Sequence, residues 1–291
     1  MHKRRAEKTH RGSKTLRQRI RTVRQATIFV IFLVVSAWGY LNHRAETFVF
    51  AWTEPLRVLV VPLIDPATDP DSDATTLYLH DFLSTTAKPG SNLRGMEEWL
   101  QAQFRHYSPG SGKAVELTIE PAVGVETPPP LLPDESDSLL SRWLKTSSFI
   151  SYFERLDKDR ELLRSAYDTT IFLYFYSHHR LSTFADHHSV ATRRDQFGVV
   201  FVPLEVRSRG FYAALVAHEL CHTFGATDKY EGERSVYPQG YAEPSKVPRY
   251  PQSHAEIMAL GIPVAPDVEL RVDHLGACRV GKKTAEEMGW R

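Results

Sequence analysis

The chain has 291 residues, 42% of them hydrophobic and 24% charged, and its formal net charge is +1. This length and hydrophobic content exclude an intrinsically disordered chain and allow the core of one sizeable domain or of two closely joined lobes. The two cysteines, Cys221 and Cys278, do not form a Cys-x-x-Cys pair. That excludes a thiol redox motif and a zinc site made of cysteines.

Positive charge is concentrated at the N-terminus. Residues 1–24 contain ten basic residues and one acidic residue, which leaves 26 basic against 34 acidic residues in the rest of the chain. Such charge would suit nucleic acid, but the segment has no recognisable nucleic-acid-binding motif. We therefore expect no nucleic-acid partner and interpret residues 1–25 as a basic cytoplasmic tail.

An uncharged apolar run, ATIFVIFLVVSAWGYL, follows at residues 26–41. As a helix it would be about 24 Å long against about 30 Å of hydrocarbon, and Arg24 and Arg44 can reach the two interfaces. We predict a single transmembrane signal anchor. A cleaved signal peptide is the alternative, because residues 35–37 (VSA) form a tolerable cleavage site. The positive-inside rule then places the C-terminal body outside the cytoplasm, in a periplasm or at the cell exterior.

The remainder is predicted to be a juxtamembrane linker at 42–54 and an extracytoplasmic domain at 55–291. Periodicity in this domain indicates an α+β fold with strands and helices interspersed. Strands are predicted at 56–64, 114–123, 170–176 and 198–206, and helices at 92–107, 139–166 and 209–224. Residues 126–137 are proline-rich and predict a loop. The acidic stretch 65–73 predicts a solvated turn, with a calcium site as the alternative.

The loop between the last two strands contains four histidines: His178, His179, His187 and His188. Adjacent side chains of an extended chain point to opposite sides. This favours exposed or substrate-facing imidazoles over a shared metal ion.

The stretch HELCHTFGATD, residues 218–228, carries the strongest chemical signal. Ser208 is a predicted N-cap for the helix at 209–224, and Gly225 is the residue type that tolerates the left-handed turn after a helix. His218 and His222 therefore lie at positions i and i+4 of one helix face. Imidazoles in this arrangement can bind one Zn²⁺, and Glu219 can contact a water on the metal without being a ligand.

A third ligand is needed for such a site. Asp228 is the predicted one, because the turn at Gly225 reverses the chain toward the metal; Glu231 and His254 are the alternatives. A helix whose histidines merely pack in the core is the non-functional alternative.

The residues His218-Glu219-x-x-His222-x-x-Gly225-x-x-Asp228 resemble the HExxHxxGxxH/D signature of metzincin metallopeptidases, in the snapalysin-like version with aspartate as third ligand. Members of that family have a methionine in a tight turn beneath the metal, and AEIMALG at 255–261 supplies Met258. Such a Met-turn would make Met258 a structural part of the site. The aspzincins also combine HExxH with an aspartate, but theirs lies on a separate later helix.

The resemblance covers roughly residues 170–291 and implies a metzincin-like zincin domain, with a mixed twisted sheet and an active-site helix, behind the single N-terminal transmembrane helix. It implies that the strand at 198–206 lies near the upper edge of the cleft, where an extended substrate pairs with it. Some members have a tyrosine two residues after the methionine, where this chain has Leu260. The role of that tyrosine would then fall to another one: Tyr230, Tyr237, Tyr241 or Tyr250.

Near the C-terminus, residues 232–266 are rich in Pro, Gly and Tyr and predict an ordered irregular loop under the cleft. Thr284 and Glu287 match a capping box for a final short helix, and Trp290 is predicted to pack back onto the domain. Cys221 and Cys278 are either joined by a disulfide or buried separately.

These patterns predict a membrane-anchored zinc endopeptidase in which Glu219 is the general base and His218, His222 and Asp228 hold Zn²⁺. The expected partner is a protein or peptide substrate, such as a cell-envelope component. Zinc hydrolysis of a peptidoglycan cross-link instead of a protein is an alternative that uses the same residues. The alternative is a non-catalytic envelope binding protein with a structural or vestigial zinc site.

Overall fold

The computed structural model describes residues 50–83, 92–134, 136–162, 164–185 and 187–290. All of them belong to one compact unit, Val49–Arg291. The predicted tail at 1–25, the predicted anchor at 26–41 and the first part of the predicted linker lie outside the described residues. Among the helices of the described ranges, none is long and apolar enough to cross a membrane.

A six-stranded sheet forms the centre of the described part of the chain. Its strands are β1 (Leu56–Ile64), β2 (Val115–Ile119), β3 (Val123–Gly124), β4 (Thr169–Tyr176), β5 (Val190–Thr192) and β6 (Phe197–Pro203). The order is β2-β1-β4-β6-β5, with β3 also paired to β1. Every pair is parallel except β5 with β6, which is antiparallel, so β5 is an antiparallel edge strand on an otherwise parallel sheet.

Helices cover both faces of this sheet. They are α1 (Asp73–Leu83), α2 (Leu93–Tyr107), α3 (Leu139–Asp159), α4 (Arg209–Thr223) and α5 (Lys282–Met288). Side chains from α1, α2, α4 and α5 share one apolar cluster with Val58 and Val60, whereas α3 packs in a second cluster with Leu59 and Val61. Successive residues of β1 thus enter opposite clusters, as the pleat of a strand requires. A parallel sheet buried on both faces explains why β1, β4 and β6 are almost continuously apolar.

After α4 the chain forms short strand pairs and turns around the end of that helix. The pairs are β7 (Tyr230–Glu231) with β8 (Arg234–Ser235), β9 (Ala255–Glu256) with β12 (Cys278–Arg279), and β10 (Gly261–Ala265) with β11 (Val268–Arg271). Trp290 is buried and packs on Trp52 and Phe104, which confirms the prediction that it returns to the domain.

The predicted elements compare closely with the observed ones in the sheet and less closely elsewhere. The strand at 56–64 and the strands at 170–176 and 198–206 are confirmed, the last ending at Pro203. The predicted helix at 139–166 is shorter than expected, because α3 ends at Asp159 and only a 3₁₀ turn occupies Arg164–Ala166. Helix α1 and strand β5 were not predicted. The α+β class with a mixed, twisted sheet is confirmed at this coarser level.

Three local predictions need correction or completion. The capping box of Thr284 and Glu287 is wrong, because α5 begins at Lys282 with Gly281 at its N-cap, and the Thr284 hydroxyl donates to Glu256 instead. Ser208 occupies the N-cap position of α4 but its side chain does not cap the helix. Cys221 and Cys278 are both buried and not bonded to each other.

The acidic stretch 65–73 forms hydrogen bonds to the sheet and a local turn, and it does not form an ion site. Asp65 is fully buried, accepts a hydrogen bond of 2.5 Å from the Tyr174 hydroxyl and pairs with Arg180. Asp69 accepts the amide of Asp71, as in a solvated turn. Among the described residues, no group of three potential metal donors occurs in this stretch.

Candidate metal centre

Helix α4 presents the first two predicted ligands from a largely buried scaffold. Its side chains Ala213, Ala214, Val216, Ala217, Leu220 and Cys221 are all fully buried. Helical spacing leaves His218 and His222 on a common face, and the helix stops before Gly225, whose φ of +105° lies in the region that glycine tolerates best. The chain then turns back and brings Asp228 to the two histidines.

Three donor atoms meet at this point. The His218 and His222 Nε2 atoms are 3.1 Å apart, and Asp228 Oδ1 lies 3.3 Å from the first and 3.2 Å from the second. Ligand atoms about 2.0 Å from a tetrahedral Zn²⁺ are about 3.3 Å from one another. The triangle therefore has a size and an N₂O donor set that fit a zinc ion, and it is the one group of three such donors among the described residues.

A hydrogen bond made by the second nitrogen of each imidazole fixes the orientation of the ring. His218 Nδ1 lies 3.0 Å from the carbonyl oxygen of Ile257, and His222 Nδ1 lies 2.8 Å from that of Ala226. A carbonyl oxygen only accepts, so each Nδ1 carries a proton and the Nε2 atom of each ring is the one that faces the triangle. The two Nε2 atoms and Asp228 Oδ1 lie within 3.3 Å of one another, so a proton or a metal cation between them would stabilise this arrangement.

The pKa shifts of His222 and Asp228 also favour positive charge at the triangle. Burial lowers the pKa of His222, but the hydrogen bond and the charge of Asp228, with the charge of Glu219, outweigh burial and raise it. Burial likewise raises the pKa of Asp228, yet its hydrogen bonds to His218 and His222 hold that pKa well below its usual range. A cation at this position would replace the shared proton.

Glu219 lies beside the triangle without joining it. Its side chain is 4% exposed, and burial raises its pKa against the opposing effect of His218 and His222. It lines a cleft of about 530 Å³ together with His218. A carboxylate with a raised pKa in a cleft is suited to take up and release a proton.

The predicted Met-turn residue is buried directly next to the centre. Met258 is fully buried in a turn in which the amides of Ala259 and Leu260 both donate to the Glu256 carbonyl. The preceding residue, Ile257, provides the carbonyl that orients His218. Leu260 has a φ of +56°, which is uncommon for a residue with a branched side chain.

The cleft is bordered by the segment that leads into β5. Its lining includes His187, His188 and Ser189 from that segment, and aromatic or apolar side chains from the sheet and from α4: Tyr176, Phe201, Phe211, Tyr212 and Leu215. The strand predicted near the upper edge of the cleft, at 198–206, contributes Phe201 to the cleft lining, but it is not the edge strand of the sheet, because β5 pairs with residues 197–199. The edge strand is β5, which is too short for its alternation to stand out in the sequence.

Of the four candidate tyrosines, Tyr230 is the one that lines the cleft. Its ring lies 6.5 Å from that of His218, and its pKa is raised by burial and by the charges of Asp228 and Glu219. The other three contact one another in a separate cluster, in which the hydroxyls of Tyr241 and Tyr250 are 3.0 Å apart.

The remaining candidate ligands do not join the donor triangle. Glu231 and His254, the alternatives to Asp228, lie outside the triangle. His178 lies 3.9 Å from Glu205, and His187 packs against Phe184 and Phe201 in the wall of the cleft. The loop histidines thus belong to the cleft wall and its surroundings.

No protein-family model matches the chain, and no curated protein matches its sequence. The fold and the site together define an α+β domain with a donor triangle of two histidines and one aspartate in a cleft.

Proposed function

We propose that this chain is a zinc-dependent endopeptidase with a metzincin-like domain, held at a membrane by residues 26–41 with its body outside the cytoplasm. The observation that carries the proposal is the donor triangle, in which three potential ligand atoms 3.1–3.3 Å apart converge and both imidazoles are oriented by backbone carbonyls. Such outer hydrogen bonds are typical of histidines that bind metal.

A zinc ion held by His218, His222 and Asp228 would lower the pKa of a bound water toward 7 and would polarise a carbonyl group. Glu219 is placed to do the proton chemistry, because it is buried beside His218 and faces the cleft. We propose that it accepts the proton of the attacking water and delivers it to the leaving amine. A purely structural metal site would gain nothing from a carboxyl group with a raised pKa in this place, so Glu219 favours catalysis over the binding-protein alternative.

The edge of the sheet offers a binding mode for an extended peptide. Strand β5 has one edge paired to β6, and the segment leading into it lines the cleft. A substrate strand can add to the other edge through backbone hydrogen bonds. This geometry suits an endopeptidase acting on an unfolded or extended segment.

Tyr230 is the side chain we propose to assist at the oxygen of the scissile carbonyl. It lies in the cleft beside His218, and its hydroxyl is a hydrogen-bond donor whose pKa burial raises. This hydroxyl takes the place of the tyrosine that some metzincins have at the position of Leu260.

The test is zinc content and proteolysis of the full-length chain in detergent, for wild type, Glu219→Gln and the control Glu231→Gln. We expect one zinc per chain in all three, and hydrolysis of an unfolded protein by the wild type and the control only. General-base catalysis contributes about 10²–10⁴-fold, which sets the expected loss in Glu219→Gln. Zinc without hydrolysis in the wild type would favour the non-catalytic alternative, and absence of zinc would refute both.

A further inference from the structure

The third ligand is held differently from the two histidines. Asp228 lies in the loop between α4 and β7, and its side chain is 45% exposed, against 5% for His218. Apolar packing of its own side chain therefore does little to fix it. Its two neighbours, Thr227 and Lys229, are both bound by one side chain from the last helix, Glu287.

The Glu287 carboxylate makes contacts on both sides of Asp228. Its Oε2 accepts the backbone amide of Thr227 at 3.0 Å and the Lys229 ammonium at 2.7 Å, and the Thr227 hydroxyl donates to it at 3.2 Å. The same ammonium donates to the Thr227 carbonyl at 2.8 Å and to its hydroxyl at 2.7 Å. The side chains of Glu287 and Lys229 thus link Thr227 to Lys229 through hydrogen bonds on both sides of Asp228.

The ion pair at the centre of this network is shielded from water. The Lys229 side chain is 5% exposed and that of Glu287 16% exposed. The Lys229 amide also donates to the Met258 carbonyl at 3.0 Å, which joins the loop to the Met-turn. Removing the carboxylate would leave a buried ammonium without its counter-charge, and the cost of that is large enough to move the loop.

We infer that Glu287 is a positioning residue for the metal centre: it holds Asp228 at the distance that zinc requires by binding the residues before and after it. Helix α5, at the far end of the chain, is then part of the metal centre. This inference rests on the proposed function only in that the triangle binds zinc; it does not require that the protein cleave peptides.

The first experiment compares zinc affinity in wild type, Glu287→Gln and the control Glu286→Gln, with the full-length chain in detergent and a competing chromogenic chelator. Glu286 is the adjacent residue of α5, half exposed, and its only ion pair in the described residues is with Lys282 at 4.0 Å. Changes in groups that orient metal ligands typically reduce affinity about 10–100-fold. We expect that loss for Glu287→Gln and less than about a twofold change for Glu286→Gln.

A double-mutant cycle separates positioning from a general loss of structure. If Glu287 acts through Asp228, then Glu287→Gln has no further effect on zinc affinity once Asp228→Asn has removed the ligand charge. Additive losses would mean that Glu287 only supports the fold, and would overturn the inference. If Glu287→Gln does not fold, Glu287→Asp replaces it, because that variant keeps the charge near Lys229 but withdraws the carboxylate from Thr227.

The outcomes distinguish the two proposals. Wild type that binds zinc tightly with an unchanged affinity in Glu287→Gln refutes the inference and leaves the proposed function standing. Zinc affinity lost in Glu287→Gln, in a wild type that shows no proteolysis, supports the inference against the proposed activity. A wild type that binds no zinc refutes both.

Discussion

Helix α4 and the loop at 226–229 provide the donor atoms of one candidate centre, but they are stabilised by different interactions. The helix carries six fully buried apolar side chains between Ala213 and Cys221. The loop is held by polar contacts of Thr227 and Lys229 with Glu287 and Met258. The helix that carries the first two donors is therefore held by apolar packing, whereas the loop that carries the third is held by polar contacts with residues 30 and more positions away. The four predictions below test that division.

The largest effect is expected from a cavity under the helix. Leu220 lies between the two histidines and is fully buried. Leu220→Ala should lower the free energy of unfolding by about 2–5 kcal/mol, because it removes buried methyl groups and leaves a cavity. Urea unfolding of the chelator-treated protein measures this.

Leu215→Ala is the control on the same helix, since Leu215 is only partly buried and lines the cleft. Its cost should be clearly smaller. Equal costs for the two variants would mean that α4 is not stabilised by its buried face.

A smaller effect is expected where the C-terminal helix joins the turn that contains Met258. Glu256 is fully buried and accepts the amides of Met258 at 2.5 Å and Gly281 at 3.0 Å and the Thr284 hydroxyl at 2.7 Å. A hydrogen bond to a charged group contributes about 1.5–3 kcal/mol. Thr284→Val should reduce unfolding free energy by about that amount, as measured by urea unfolding.

Thr118→Val is the matched control, because Thr118 is exposed on β2. It should be within about 0.5 kcal/mol of wild type.

As the pH rises through the pKa of His222, the stability of the metal-free protein should fall and its zinc affinity should rise. The pKa of His222 is raised in the folded protein, so its contribution to metal-free stability is fully present below the unfolded value of about 6.5 and is lost as pH rises through the folded pKa. Zinc needs the unprotonated imidazole, so its affinity should rise over the same interval, by up to about tenfold per pH unit.

Chelator competition and urea unfolding, both measured between about pH 5.5 and 8.5, compare the two slopes. The pKa of Asp228 is lowered, so its contribution is present above the unfolded value of about 3.9 and is lost only at more acidic pH. Slopes of the same sign around neutral pH would show that His222 does not exchange a proton for the metal.

The division between helix and loop also determines how much the sequence could predict. The spacing of His218 and His222 follows from helix periodicity, and the apolar runs of β1, β4 and β6 follow from burial on both faces of a parallel sheet. Local sequence patterns do not predict the structure where contacts with residues distant in the sequence determine it. Thr284 and Glu287 match a capping box, yet they bind Glu256 and Lys229, which no local pattern could indicate. Strand β5 has three residues, too few for a periodic signal.

Contacts with residues distant in the sequence also determine where the domain begins at its N-terminal side. The smallest of the four effects is expected there. Trp52 lies within the predicted linker at 42–54, but its indole N–H donates to the Met288 carbonyl at 2.6 Å and its ring packs on Phe224, at the end of α4, and on Trp290. Trp52→Phe keeps an aromatic ring but removes the donor. We expect a loss of about 0.5–1.5 kcal/mol in unfolding free energy.

Trp143→Phe is the control, because Trp143 is 64% exposed on α3 and its replacement should change stability by less than about 0.5 kcal/mol. Both variants are made in the full-length chain and unfolded with urea after chelator treatment. If Trp52→Phe proves as mild as Trp143→Phe, the segment before β1 behaves as the linker that the sequence predicts. A measurable loss means instead that the segment nearest the predicted anchor helps to hold the end of the helix that carries His218 and His222, since Phe224 follows His222 by two residues.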